Sequence, residues 1–271
     1  MLKLIACDMD GTLLNSQKQL PPQLPALLQK LREMNVTFAV ASGRSKVALT
    51  NLFGEWADEM IFICDNGACV QMPHAEPVFQ CLPFEIVHQV LEICSQQEHV
   101  VPVLCCTHGI YYPVSAKEQF QQEINNFYVQ FTTCSYEELY RITDPVMKIA
   151  LCDLNNPAKH IYPILNPLIG AQYELAVSGP LWMDIMCKGV HKGAAIQTLQ
   201  KKMGITPAET MVFGDYGNDI TMLQAADYSC AMANATDAVK SIARFIVPSN
   251  DENGVVKTIC QHLSIPIESL V

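Results

Sequence analysis

The chain has 271 residues, half of them hydrophobic, and a formal net charge of -10. That length leaves one large domain or two smaller ones open, and an acidic chain with no basic stripe disfavours nucleic acid as a partner. No apolar run is long enough to span a membrane, and the N-terminus lacks the basic start and small-residue cleavage site of a signal peptide, so a cytoplasmic protein with no membrane partner is expected.

Leu2 to Cys7 is an apolar run that reads as a buried parallel strand, and Asp8-Met9-Asp10-Gly11-Thr12 follows it. Two carboxylates two residues apart point the same way if the strand geometry persists, and Gly11 lets the backbone turn. Ligands usually bind at the open end of a parallel α/β sheet, where a carboxylate serves as nucleophile, metal ligand or both. Asp-x-Asp-Gly is equally an ordinary strand exit. Leu24, Leu27, Leu28 and Leu31 recur at helical spacing and predict a helix over 22–34. Residues 36–41 form the next strand, ending in Ser42-Gly43-Arg44, then 46–53 a helix and 60–64 a strand ending in Asp65-Asn66-Gly67. This β-α-β-α-β order begins a doubly wound parallel sheet.

The pattern then changes. Residues 69–72 and 78–82 predict a hairpin, 83–97 a helix, 100–106 and 109–114 two antiparallel strands, and 116–128 and 136–141 helices. A strand at 146–152, a helix at 157–169 and a hairpin of 173–177 with 181–187 follow. From Lys188 the alternation resumes: helix 191–203, strand 210–214 ending in Asp215-Tyr216-Gly217-Asn218-Asp219, helix 220–226, strand 229–232, helix 236–243, strand 245–247 and helix 255–262. The expected fold is α/β, with a doubly wound, parallel, Rossmann-like sheet built from 1–82 and 184–271. An α+β domain at 83–183 is inserted into it, and the site is expected in the cleft between the two.

Twelve cysteines include no Cys-x-x-Cys pair, and Cys7, Cys64, Cys152 and Cys187 lie in apolar runs, so all read as reduced thiols. There is no Gly-x-Gly-x-x-Gly and no P-loop, so neither a dinucleotide cofactor nor a kinase is supported. Four polar loops remain at the ends of core strands: 8–12, 42–44, 188–193 and 214–219.

Asp-Met-Asp-Gly-Thr at 8–12, Ala-Ser-Gly-Arg at 41–44, Lys-Gly-Val-His-Lys-Gly at 188–193 and Gly-Asp-Tyr-Gly-Asn-Asp at 214–219 resemble the four motifs of the haloacid dehalogenase superfamily. Their order and spacing, the large insertion after the third strand, and Asn66-Gly67 resemble its Cof-type phosphatase branch, which carries an α+β (type IIB) cap. One departure is His191, where the family more often has Ser; it leaves Lys192 in place and bears on substrate preference rather than on the reaction.

The resemblance implies a Mg²⁺-dependent phosphatase of small phosphorylated metabolites, sugar phosphates by default. Asp8 would be the nucleophile, forming an aspartyl-phosphate, and Asp10 the acid for the leaving alcohol and then the base for water. Asp10 argues for phosphoryl transfer, because halide needs no acid to leave. Asp8 and Asp215 would hold Mg²⁺ by their side chains and Asp10 by its backbone carbonyl. Asp219 reads as a supporting residue or as a helix first-turn charge. Two such charges ~4 Å apart repel by ~4 kcal/mol at an effective dielectric of ~20, so the cluster needs a cation. Phosphoryl oxygens would be met by Ser42 and by the backbone N–H groups of Met9 and Gly43, with Lys192 supplying positive charge and Asn218 holding either. Ser42 also reads as a helix N-cap. Lys188 competes with Lys192 but reads as the strand exit. Arg44, Asn66 and Asp184 are further substrate candidates, while His108 and His191 read as turn or surface residues. A phosphomutase and a non-catalytic phosphometabolite-binding protein are the alternatives, and the number of subunits is left open.

Overall fold

The computed structural model describes residues 1–128 and 130–270. Its larger sheet has eight strands in the order Phe245–Val247, Tyr228–Met232, Thr210–Gly214, Leu4–Cys7, Thr37–Ala41, Ile61–Cys64, Cys69–Gln71 and Val78–Phe79. The first six run parallel and the last two form the antiparallel hairpin. Leu4–Cys7 is buried at every position, as a strand covered by helices on both faces must be. It lies between Thr210–Gly214 and Thr37–Ala41, with Cys7 level with both Phe213 and Val40. The exits at Asp8, Ser42 and Asp215 therefore open side by side on one edge, and the exit at Asp65 opens next to Ser42.

The smaller sheet has six strands in the order Tyr173–Val177, Trp182–Cys187, Val146–Asp153, Val100–Cys106, Ile110–Pro113 and Thr132–Cys134. Alternation divides its faces. Ile149, Leu151, Met183 and Ile185 pack under the helices Phe84–Ser95 and Ile161–Ile169. Ala150, Cys152 and Trp182 face the single helix Glu118–Phe127, which contributes Phe120 and Ile124. One helix cannot cover that whole face, and its uncovered part looks into the cleft.

Three expectations change. Thr132–Cys134 is a strand parallel to Ile110–Pro113; three residues, two of them exposed, carry no periodicity to read. The helix expected from 157 begins at Ile161, because the Asp153 carboxylate accepts from the Ile161 N–H (3.2 Å) and sits 2.8 Å from His160 Nδ1, fixing the start there. A division between 183 and 184 would cut the strand Trp182–Cys187, which pairs within the smaller sheet as far as Cys187 opposite Tyr173. The two connecting segments touch, with Cys187 Sγ donating to the Cys81 carbonyl. No helix among the described residues is long and apolar enough to cross a membrane.

Candidate active site

Strand geometry ends at Cys7, and Asp8 and Asp10 go to different partners. Asp8 keeps its N–H on the Phe213 carbonyl (3.0 Å) while its carboxylate accepts from Lys192 Nζ at 2.5 Å. Gly11 turns the chain with φ +81, and any Cβ there would strike the Asp215 carboxylate. This close approach lets Thr12 Oγ1 donate to Asp215 (2.9 Å), so the first and fourth loops are locked together. Met9 buries its side chain in the core and leaves only backbone on the loop.

Lys192 is fully buried and donates to both Asp8 and Asp219, the latter at 2.7 Å. The other Asp219 oxygen accepts from the backbone N–H groups of Asp215 (3.0 Å) and Tyr216 (3.1 Å). Asp219 therefore fixes the lysine and shapes the Asp215 loop, far more than an exposed first-turn charge would. Oxygens of Asp8, Asp215 and Asp219 lie within 4.8 Å of one another. Burial, and then the charge of Asp219, push Asp8 well above the usual carboxylate range and Asp215 up to about 6. Burial alone would pull Lys192 down, but Asp219 and Asp8 hold it above its ordinary value. Lys188 turns away and donates to the Gly170 carbonyl.

Asp10 stands apart from that cluster. Arg44 grips its carboxylate with two bonds of 2.7 Å, and Lys18 adds one of 2.8 Å. Burial alone would raise Asp10, but Arg44 and then Lys18 outweigh it and bring it below its ordinary value. Arg44 is thus held inward rather than on the surface.

Ser42 is buried, and its hydroxyl accepts from the Arg44 N–H (3.1 Å). The N-cap of the following helix is Ser45, so Ser42 does not serve as that cap. The adjacent loop takes positive φ at Asp65 (49°), Asn66 (55°) and Gly67 (108°), a conformation costing roughly 1–2 kcal/mol for a residue with a Cβ. A Cβ on Gly67 would press on the His191 backbone. Asn66, a substrate candidate, is not among the residues lining the cavity; it accepts from Asn218 (3.0 Å) and donates to Asp184 (2.5 Å), bridging two elements instead.

His191 caps the helix Lys192–Met203, its Nδ1 accepting from the Ala194 N–H at 3.0 Å. An imidazole nitrogen here does what a Ser hydroxyl does at an N-cap, which accounts for the departure from Ser. His191→Ser is expected to leave stability within about 0.5 kcal/mol and His191→Ala to cost about 1 kcal/mol, read by urea unfolding.

Sequence reasoning passed over Lys148. It is buried in the all-buried strand Val146–Asp153, where it donates to the Gly43 carbonyl (2.7 Å) and pairs with Asp65 (3.0 Å) and, more loosely, Asp184 (3.6 Å). Burial alone would lower it, but Asp184, Tyr128 and Asp65 hold it well above its ordinary value. A single lysine inside an apolar strand was the available signal. His108 lies on an exposed turn beside Asp144, as expected of a turn residue.

A cavity of about 450 Å³ joins these parts. Asp8, Asp10, Ser42, Gly43, Arg44 and Asp215 line it from the larger sheet, and Lys148, Trp182 and Asp184 from the smaller.

A two-sheet α/β protein with a carboxylate cluster at the parallel-strand exits and a buried lysine bonded to it is a hydrolase of a recognisable class. The chain belongs to the haloacid dehalogenase-like hydrolases, whose family model matches residues 5–259, and it is a phosphoric monoester hydrolase of that family. It is 31% identical over 262 residues to the 5-amino-6-(5-phospho-D-ribitylamino)uracil phosphatase YbjI of Escherichia coli (strain K12), covering 95% of each chain. Its fold is similar to that of SMU.1108c from Streptococcus mutans UA159, with a TM-score of 0.90 and 29% identity over 97% of this chain and 100% of that one. It is also similar to the subclass IIB sugar phosphatase BT4131, with a TM-score of 0.82 and 26% identity over 97% and 100%.

Proposed function

We propose that the protein is a Mg²⁺-dependent phosphatase of small phosphorylated metabolites, sugar phosphates by default, working through an aspartyl-phosphate on Asp8. The observation that carries the reading is the buried Asp8–Lys192–Asp219 array beside Asp215 at the cavity floor. A likeness to a sugar phosphatase and to a phosphatase of a phosphoribityl compound supports the substrate class. The larger sheet is the core domain and the smaller one the cap, joined by the segments around Cys81 and Cys187.

The donor set fits a small divalent cation: three clustered carboxylates, all hard oxygen ligands, face one lysine. Asp8 and Asp215 would hold it by side chains and Asp10 by its carbonyl, with Asp219 in support. Bound there, Mg²⁺ neutralises charge on the nucleophile and phosphoryl oxygens.

Asp8 attacks phosphorus while Asp10 gives a proton to the departing alcohol oxygen. Asp10 then takes a proton from water, which attacks the aspartyl-phosphate, releases phosphate and restores Asp8. Ser42 and the N–H groups of Met9 and Gly43 meet the phosphoryl oxygens, and Lys192 offsets their charge. Asn218 steadies the loop through Asn66. The Arg44 and Lys18 pairs keep Asp10 ionised, the state the water step needs. For the first step Asp10 must carry a proton, taken from solvent or from the ester's own phosphate monoanion once that phosphate draws Arg44 away, and the proton it takes from water in the second step restores this state. Lys148 braces the Gly43 backbone from the cap side.

Phosphate release from acetyl phosphate and glucose 6-phosphate is expected with Mg²⁺ and to stop with a chelator. Protons compete with the metal for Asp215, so the half-saturating Mg²⁺ concentration should climb by up to about tenfold per pH unit below about pH 6. Release that is indifferent to the chelator would overturn the metal assignment, and isomer formation without phosphate release would make the enzyme a mutase.

A further inference from the structure

The loop after the strand Thr37–Ala41 presents three carbonyls in a row, and each is held. The Ser42 carbonyl accepts from the Asn66 N–H (2.9 Å) and the Arg44 carbonyl from the Asp65 N–H (3.0 Å), both donors lying at the next strand exit of the same sheet. The Gly43 carbonyl between them accepts instead from Lys148 Nζ (2.7 Å), which comes from the smaller sheet. That carbonyl shares one planar peptide group with the Arg44 N–H, and the Arg44 N–H donates to Ser42 Oγ (3.1 Å). A hydroxyl that accepts from the backbone keeps its own proton for another acceptor, and Ser42 lines the cavity. A cation on the carbonyl end of a peptide group polarises it and strengthens the N–H at the other end.

The surroundings of Lys148 suit this task. It lines the cavity but is only 1% exposed, and its bonds run to protein atoms, so it reaches the reaction through the loop. Asp65 (3.0 Å) offsets its charge from the larger sheet and Asp184 (3.6 Å) from the smaller. Asp184 also accepts from Asn66 Nδ2 (2.5 Å), and Asn66 Oδ1 accepts from Asn218 (3.0 Å). The amine thus heads a polar chain that ties the smaller sheet to the loops at 42–44, 65–67 and 214–219. Burying an ammonium is costly, and plain backbone N–H groups suffice for the two neighbouring carbonyls. What the lysine adds is charge, delivered from the other sheet.

We infer that Lys148 is a positioning residue for phosphoryl transfer. Through the Gly43–Arg44 peptide group it sets Ser42 Oγ as a hydrogen-bond donor to the phosphoryl oxygens, so that the phosphate cradle is complete only with the smaller sheet seated on it. The inference rests on the phosphatase reading and adds to that site a residue from the smaller sheet.

The test is steady-state phosphate release by the full chain with Mg²⁺ on acetyl phosphate and glucose 6-phosphate. The parent is compared with Lys148→Met, Ser42→Ala and the double variant, each rate taken per folded protein by circular dichroism. Lys148→Met strands two buried carboxylates, so Lys148→Met with Asp65→Asn is run beside it; Asp184 is then the one charge left, and the net charge of the cluster is unchanged. Loss of Lys148 is expected to lower kcat by about tenfold to a hundredfold on both substrates, since a displacement of about 1 Å can cost about 10²-fold. KM should stay within about threefold, as for an interaction realised in the transition state. In the Ser42→Ala background the same change should cost less than about threefold, because the group it positions is gone. Equal losses in the two backgrounds would overturn the inference and make Lys148 a structural residue. So would a loss confined to KM for glucose 6-phosphate, which would make it a contact for the leaving group, and so would unchanged rates. A parent that hydrolyses neither compound would overturn the phosphatase reading, and this inference with it.

Discussion

Asp8→Asn is expected to reduce phosphate release by about 10⁴-fold or more, because a removed nucleophile takes the whole covalent route with it. The side chain keeps its shape and still accepts from Lys192, so the loss is chemical rather than structural. Stability should move the other way. Burial and the charge of Asp219 hold Asp8 well above the usual carboxylate range, so the metal-free folded state pays a penalty for ionising it. For an acid raised in the folded state that penalty is full above its folded value and fades as the pH falls toward the unfolded value near 4. In chelator at pH 7.5, Asp8→Asn should therefore melt at the same temperature as the parent or higher, and the gap should narrow toward pH 5. Phosphate release close to the parent's would remove Asp8 from the covalent role. A large drop in melting temperature would mean that the carboxylate is needed for the fold.

Lys192→Met carries the largest expected effect on stability. The lysine is fully buried and bonded to both Asp8 and Asp219. Breaking a buried pair by removing one partner typically costs 3–5 kcal/mol, since the remaining charge is left uncompensated. A loss of about that size is expected in urea unfolding of the metal-free variant. Asp219→Asn in the same background should recover part of it, because one of the stranded carboxylates is then neutral. Turnover should fall as well, through the lost charge at the phosphoryl group. A cost below about 1 kcal/mol would mean that the cluster relaxes or protonates without the lysine, and that Lys192 is not what balances it.

The elements of the larger sheet were legible because each signal is local. Leu24, Leu27, Leu28 and Leu31 mark a helix face by spacing alone, and all four are buried. Leu4–Cys7 announces a doubly covered strand by being apolar throughout. Lys188, read as the strand exit, turns to the Gly170 carbonyl, while Lys192 meets Asp8. The roles of His191 and Ser42 were not legible. A histidine beside a motif lysine looks like a turn residue until its Nδ1 is seen on the Ala194 N–H. Ser42 reads as an N-cap in the sequence, but the N-cap of the helix Lys46–Phe53 is Ser45. The Asp8–Asp10 pair is the instructive case: alternation aims both carboxylates one way, but the strand stops at Cys7, and Arg44 draws Asp10 aside.

What the sequence determined by itself is the order of strands and helices apart from the strand Thr132–Cys134, the four polar loops at strand ends and the family they resemble, since hydrophobic period, glycine position and motif are properties of short stretches of chain. The tertiary structure alone decided what faces the cavity from the smaller sheet. Lys148 reaches Gly43 across 105 residues of sequence, Asn66 reaches Asp184 across 118, and Trp182 reaches Glu123 across 59. No local pattern encodes such pairs: the first two exist only once the two sheets are brought together, and the third only once the helix Glu118–Phe127 packs on the smaller sheet, where a buried polar group must find its partner.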